Sequence, residues 1–158
     1  SVGYKTQLEA AATKANIELS TETVTASSNP LMTLDPLMGN TDLFIAMPDN
    51  AVISRNLAKW ALFLAFKHNI PVVGFAEAYT EAGAAASLYS STDDIARQAT
   101  EWLDNYFIGD STDHWNSFYP TDFTISVNTS VLRTLDLDEK TPEYLHTQVF
   151  EHMNRPTP

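Results

Sequence analysis

Two short apolar runs, Leu43–Met47 and Val72–Ala76, with one helical stretch between them, constrain the fold of this chain more than any other feature. Neither run alternates apolar with polar residues, which is the pattern of strands covered on both faces in a parallel sheet. Parallel strands need a crossover, and the helix expected from about Ser54 to His68 supplies one. Its apolar positions Leu57, Trp60, Ala61, Leu64 and Ala65 fall on one continuous stripe. Each run is followed by polar residues at what would be the sheet's carboxyl edge: Pro48-Asp49-Asn50 after the first, Glu77 after the second. In open parallel α/β sheets that edge is where ligands bind.

The rest of the chain continues the alternation. Leu8, Ala11, Ala12 and Ala15 mark a helix over residues 4–16. Ile17 to Thr25 is rich in Thr, Val and Ile and reads as a strand ended by Asn29-Pro30. Leu31–Met38 reads as a short helix or turn with Asp35-Pro36 as its N-terminal pair. Ala84–Tyr89 reads as a small-residue strand, and Ser91-Thr92-Asp93-Asp94 caps a helix over about 93–107, closed by Gly109. Phe123, Ile125 and Val127 alternate with polar partners, as a strand near a sheet edge does. Val131–Leu137 reads as one helical turn, and Thr141-Pro142-Glu143 opens a last helix to Met153. Five strands alternating with helices predict an α/β domain with a doubly wound, mostly parallel sheet. The chain is expected to be a single α/β lobe over residues 1–158.

A chain of 158 residues can bury roughly two-thirds of its extended surface, enough for a core of its own. Nine Lys and Arg against 20 Asp and Glu, a formal charge of −11, repel nucleic acid and anionic membranes, so neither is an expected partner. Cysteine is absent, which removes thiolate chemistry and Cys-based zinc sites. The longest apolar stretch, Trp60–Phe66, is bracketed by Lys59 and Lys67 and falls well short of the roughly 20 residues that span a bilayer, so no direct membrane insertion is expected. Ser1, without a preceding methionine or secretory signal pattern, reads as the start of a processed or cloned segment.

Asp49 and Asn50 could hold a ligand amine or hydroxyl between a carboxylate and an amide, and Pro-Asp-Asn is equally good turn chemistry. Ser54 fits a helix cap. Glu77 could take a cationic group, and Tyr79 offers a flat face with a hydroxyl; a solvated loop is the plainer reading of both. Gly83 fits a tight turn or a close backbone contact with a ligand. No metal site is expected, because His146 and His152 are six residues apart, about 600° of helical rotation. Asp110 to His114 reads as an acidic loop. No phosphate loop, nucleophile elbow or dinucleotide fingerprint is present, and Asn128-Thr129-Ser130 is a weak glycosylation signal.

Five segments in order carry a resemblance: Asp42-Leu43-Phe44-Ile45-Ala46-Met47-Pro48-Asp49-Asn50-Ala51-Val52, Asn69-Ile70-Pro71-Val72-Val73-Gly74-Phe75, Glu81-Ala82-Gly83-Ala84, Asp94-Ile95-Ala96-Arg97-Gln98-Ala99 and Phe123-Thr124-Ile125-Ser126-Val127-Asn128. Together they resemble the second, C-terminal lobe of an ABC-transporter substrate-binding protein. The type is periplasmic-binding-protein-like (type I), in the group that includes tryptophan and tyrosine binders. Ala96 stands where family proteins often carry glycine.

The resemblance implies two lobes joined by a hinge, with a small polar ligand such as an amino acid in the interlobe cleft. It implies delivery to a membrane permease of an ABC transporter, a periplasmic or extracytoplasmic location, no catalysis and no cofactor. The ligand contacts it implies are Asp49, Asn50, the Phe75–Tyr79 loop with Glu77, and Gly83. It also implies an N-terminal lobe and a first strand that are not in this sequence. In a flavodoxin-like order that strand lies between the Ile17 and Leu43 strands, so a longer natural chain, or another segment filling the gap, is expected; direct pairing of those two strands would overturn this. Two other readings remain: a sensory input domain coupled to a signalling protein, and a small doubly wound enzyme using Asp49 and Glu77 as an acid and base pair.

Overall fold

The computed structural model describes residues 2–22, 29–48, 55–108, 120–137 and 142–153. Helices α1 (Val2–Ala15) and α2 (Pro30–Met38) precede strand β1 (Phe44–Ile45); α3 (Arg55–His68) leads to β2 (Val72–Gly74). Then come α4 (Glu77–Glu81), β3 (Ala86–Tyr89), α5 (Thr92–Ile108), β4 (Thr124–Val127), α6 (Thr129–Thr134) and α7 (Pro142–Met153). The four strands form one mixed sheet in the order β1-β2-β3-β4. Phe44 pairs with Val72 and Val73 with Ala86 in parallel, whereas β4 runs antiparallel to β3 with Ser87 opposite Ser126. This is an α/β fold with a mostly parallel sheet flanked by helices.

The core lies between one sheet face and helices α2 to α4. Leu34 and Met38 of α2, Ala61, Leu64 and Ala65 of α3, and Val72 of β2 are buried together. The expected stripe on α3 holds at its centre. Trp60 is the exception: it is 41% exposed and packs edge-on against Phe63 at 6.0 Å. Asp35 ties α2 to α3, accepting from Lys67 Nζ at 3.0 Å and lying 2.6 Å from His68 Nε2. Those two bonds, to His68 first and Lys67 second, lower the Asp35 pKa. On the other sheet face, His146 of α7 stacks between Phe123 and Phe150 at 5.9 and 6.2 Å.

Several expectations change. Residues 17–22 form no strand: Ile17 is 63% exposed and the segment has no ladder partner. Its β-branched residues favour a pleated, half-buried surface, and that preference has no effect without a neighbouring strand. The expected strand extends to Thr25, and residues 23–28 lie outside the described residues. β1 ends the sheet. Its Phe44 and Ala46 N–H groups donate to Pro71 and Val73 O at 3.0 and 2.9 Å, so the Ile45 N–H points to the other side, where no strand lies among the described residues. Among the described residues, 17–22 and the Leu43 run are therefore not paired.

Asn29, not Asp35, caps α2, accepting from Leu31 N at 3.1 Å, and Pro36 falls inside the helix. The second apolar run is a strand only to Gly74, because Phe75 and Ala76 bend into a helix, α4, that the sequence reading does not contain.

Leu64 is 2% exposed at the centre of the core. Leu64→Ala should lower unfolding free energy by about 2–5 kcal/mol in denaturant titrations, whereas Met32→Ala, at a position 77% exposed, should change it by about 0.5 kcal/mol or less.

Candidate functional site

The carboxyl edge of the parallel strands is built from the segment after β2 and the segment after β3. Asp49, Asn50 and Ser54, which follow β1, lie outside the described residues. After β2 the chain turns through Phe75 and Ala76 and enters α4 at Glu77.

The turn depends on Gly74. A Cβ there would stand 2.6 Å from Tyr79 Cγ and 2.9 Å from Ser87 Oγ, and it would also overlap the Tyr79 Cβ, so only glycine lets Tyr79 back onto the strand. Tyr79 therefore lies on a helix, partly packed against the core, and not in an open loop. Burial raises its phenol pKa. The Phe75 and Tyr79 rings sit 5.0 Å apart at 51°.

Glu77 is exposed at the start of α4, and its charge acts on the hydroxyl of Tyr89, the last residue of β3. Partial burial, then the Glu77 charge, raise the Tyr89 pKa, and the Asp94 charge adds to this. Behind it, Thr80 Oγ1 donates to Ser87 Oγ at 2.7 Å and lies 2.7 Å from Ser126 Oγ. Thr80 and Ser87 are both buried, so the hydroxyls satisfy one another away from water.

Asp94 lies close by and is chemically saturated. Ser91 and Asp94 form a reciprocal cap on α5: Ser91 N donates to Asp94 Oδ2 at 2.9 Å and Asp94 N donates to Ser91 Oγ at 3.1 Å. Thr124 Oγ1 donates to the same carboxylate at 2.9 Å, and Arg97 Nη2 pairs with both Asp94 and Asp122 at 2.9 Å. These bonds, Ser91 foremost, hold Asp94 down at about 2.

The structure thus brings Phe75, Glu77 and Tyr79 together at the carboxyl edge and leaves Gly83 out. Gly83 sits in the turn between α4 and β3, at the amino edge, with φ +112° and nothing near its missing Cβ. Its positive φ explains the glycine. It lines a small cavity of about 80 Å³ with Leu62, Phe66, Asn69, Ile70 and Leu135, away from Glu77. The Asn128 amide donates to Thr80 O at 3.1 Å and its oxygen caps α6 through Val131 N, so this side chain is engaged internally.

Tyr89, Thr80, Ser87, Ser126 and Gly74 are site residues that the sequence reading passed over. Ser126 carried a signal, as the polar half of the Phe123, Ile125, Val127 alternation; so did Tyr89, which ends its strand at the edge that selected Glu77. Among the described residues there is no group of three or more His, Cys, Asp or Glu that could hold a metal, and His114 and the His152 side chain lie outside them.

Gly74→Ala should displace Tyr79 and lower stability by about 1–3 kcal/mol in chemical denaturation. Asp94 has a folded pKa below its usual 3.8, so its contribution is complete above that value and is lost as pH falls toward about 2. Thermal unfolding across this acid window should show a steeper loss in the wild type than in Asp94→Asn.

The family model described as ABC transporter substrate binding protein matches residues 1–153. A conserved domain protein from Vibrio cholerae O1 biovar El Tor strain N16961 is similar in structure, with a TM-score of 0.65 and 22% identity over 85% of this chain and 45% of that one. The ABC domain in complex with L-Trp from Streptococcus pneumoniae is similar at a TM-score of 0.62 and 19% identity, over 84% of this chain and 46% of that one. The chain therefore spans less than half the length of the solved structures it matches. No curated protein matches the sequence.

Proposed function

Because the chain belongs to the ABC transporter substrate-binding protein family, we propose that it is one lobe of a solute-binding component that holds a small polar molecule, such as an amino acid, without catalysis and passes it to a membrane permease. The family match across residues 1–153 carries this reading. The position of Phe75, Glu77 and Tyr79 supports it, since this is the edge of an open α/β sheet at which ligands sit. Asp49 and Asn50, which follow β1, would join that edge.

The ligand lies between this lobe and a second one, and closure of the two lobes encloses it. Two observations favour a partner lobe: the chain spans less than half of its solved relatives, and β1 presents an edge that no described strand covers. The amino-acid class draws support from the L-Trp held by the Streptococcus relative. The permease partner and an extracytoplasmic location follow from the same family role. Among the described residues no helix is long and apolar enough to cross a membrane.

A thermal-shift screen of the full-length polypeptide carrying this chain, against amino acids, short peptides and sugars, tests the proposal. A ligand at one hundred times its Kd should stabilise the folded state by about 2.7 kcal/mol. A flat response across all three classes would count against solute binding.

A further inference from the structure

We propose that the cavity at the amino edge, between α3, α6 and the turn after α4, is an accessory binding site for a small apolar molecule the size of one ring or a branched alkyl group. It is separate from the carboxyl edge that the solute-binding reading uses and does not depend on that reading.

Three observations support it. First, the cavity is graded from an apolar floor to an open mouth. Ala65, Ile70 and Val72 are buried at its floor, and Leu62, Val131 and Leu135 are half-buried walls. Phe66, Asn69, Gly83 and Thr134 are exposed around the opening. Among the described residues no charged side chain lines it. The Thr134 hydroxyl already donates to Ser130 O at 2.9 Å. An ionic group entering this space would lose its hydration without meeting a counter-charge, so the walls select against charged and zwitterionic solutes.

Second, the opening is preformed. Helices α3, α4 and α6 each end beside it at a residue of positive φ: Asn69 at 54°, Gly83 at 112° and Asp136 at 55°. Each turn closes in the same way, with the next backbone N–H donating five residues back. Ile70 N donates to Ala65 O at 3.0 Å, Ala84 N to Tyr79 O at 2.8 Å and Leu137 N to Leu132 O at 2.8 Å. Three helix ends fixed in this manner cannot collapse onto the space between them without breaking those bonds, and a void persists where its surroundings cannot relax. A pocket formed before its ligand arrives also loses little on binding.

Third, the chain's own side chains leave the space unfilled. Native interiors keep few voids larger than a water molecule, yet this one measures about 80 Å³. A Cβ at Gly83 would meet nothing within 4 Å, so the glycine there answers to its φ and not to close packing. Phe66, the large side chain at the opening, is 74% exposed. An enclosed apolar cavity of about 150 Å³ holds benzene. A smaller one with an open side takes a ring or branched chain whose outer end stays at the mouth.

The test is NMR on the full-length polypeptide carrying this chain, with isotope-labelled Ile, Leu and Val methyls. Benzene and isobutanol are the apolar probes, and glycerol is the polar control. At least one apolar probe should shift the Leu62, Ile70, Val131 and Leu135 methyls saturably. The Ile45 and Leu88 methyls, exposed on the far sheet face, should stay near their free positions. Val131→Phe extends a wall into the space and should weaken that binding about tenfold or more, the scale of losing a few buried methylene contacts. Ala65→Leu fills the cavity from its floor and gives the same readout independently, should the first variant not fold.

Shifts that grow linearly with probe and reach Ile45 and Leu88 equally would overturn the site. So would saturable binding that is unchanged in the filled variants, glycerol binding as strong as that of isobutanol, or no shift with either apolar probe. None of these outcomes bears on the solute screen, so the two readings fail separately.

Discussion

The Thr80 hydroxyl is the constraint on which the rest of the site depends. It is buried between α4 and the sheet, 2.7 Å from both Ser87 and Ser126. A buried hydroxyl without a partner is costly, so α4 can seat on the sheet only where these three oxygens meet. The register of β3 against β4 meets the same demand: Ser87 stands opposite Ser126, so both side chains leave the same face. With α4 so seated, Tyr79 falls over Gly74, Glu77 begins the helix at the carboxyl edge, and Tyr89, two residues beyond Ser87, points from that same face.

Carboxylate chemistry then separates structure from function. Asp35 bridges two helices through Lys67 and His68, and Asp94 closes the first turn of α5 while binding Thr124 and Arg97. Both are occupied by the fold. Glu77 shares the edge with Asp94 and stands exposed to solvent at the start of α4. A carboxylate paired as Asp94 is has little left to offer a ligand.

The two sheet faces are unequal. One carries α2 to α4 and the dense core around Leu64. On the other, Ile45 and Leu88 are 49% and 41% exposed, and the aromatic stack of Phe123, His146 and Phe150 joins α7 to the β4 end. The site is accordingly anchored on the better packed side, where α4 is held by backbone bonds such as Ala84 N to Tyr79 O at 2.8 Å as well as by hydroxyls.

By itself the sequence determined what periodicity and local chemistry report: the strand–helix–strand unit around Trp60, the helices at 2–15, 92–108 and 142–153, the α5 cap, and the edge that carries Phe75 and Glu77. Such signals are local, because a residue's neighbours in the chain decide helical stripe, cap and turn. Tertiary structure alone decided the rest. Residues 17–22 have strand composition and no strand to pair with. Phe75 to Glu81 became a turn and helix because Gly74 admits the Tyr79 ring. Gly83, near Glu77 in sequence, went to the opposite edge because α4 crosses the sheet between them. Tyr89 and Ser126 joined the site only through an antiparallel pairing, with the Thr80 hydroxyl behind it, that no local pattern encodes.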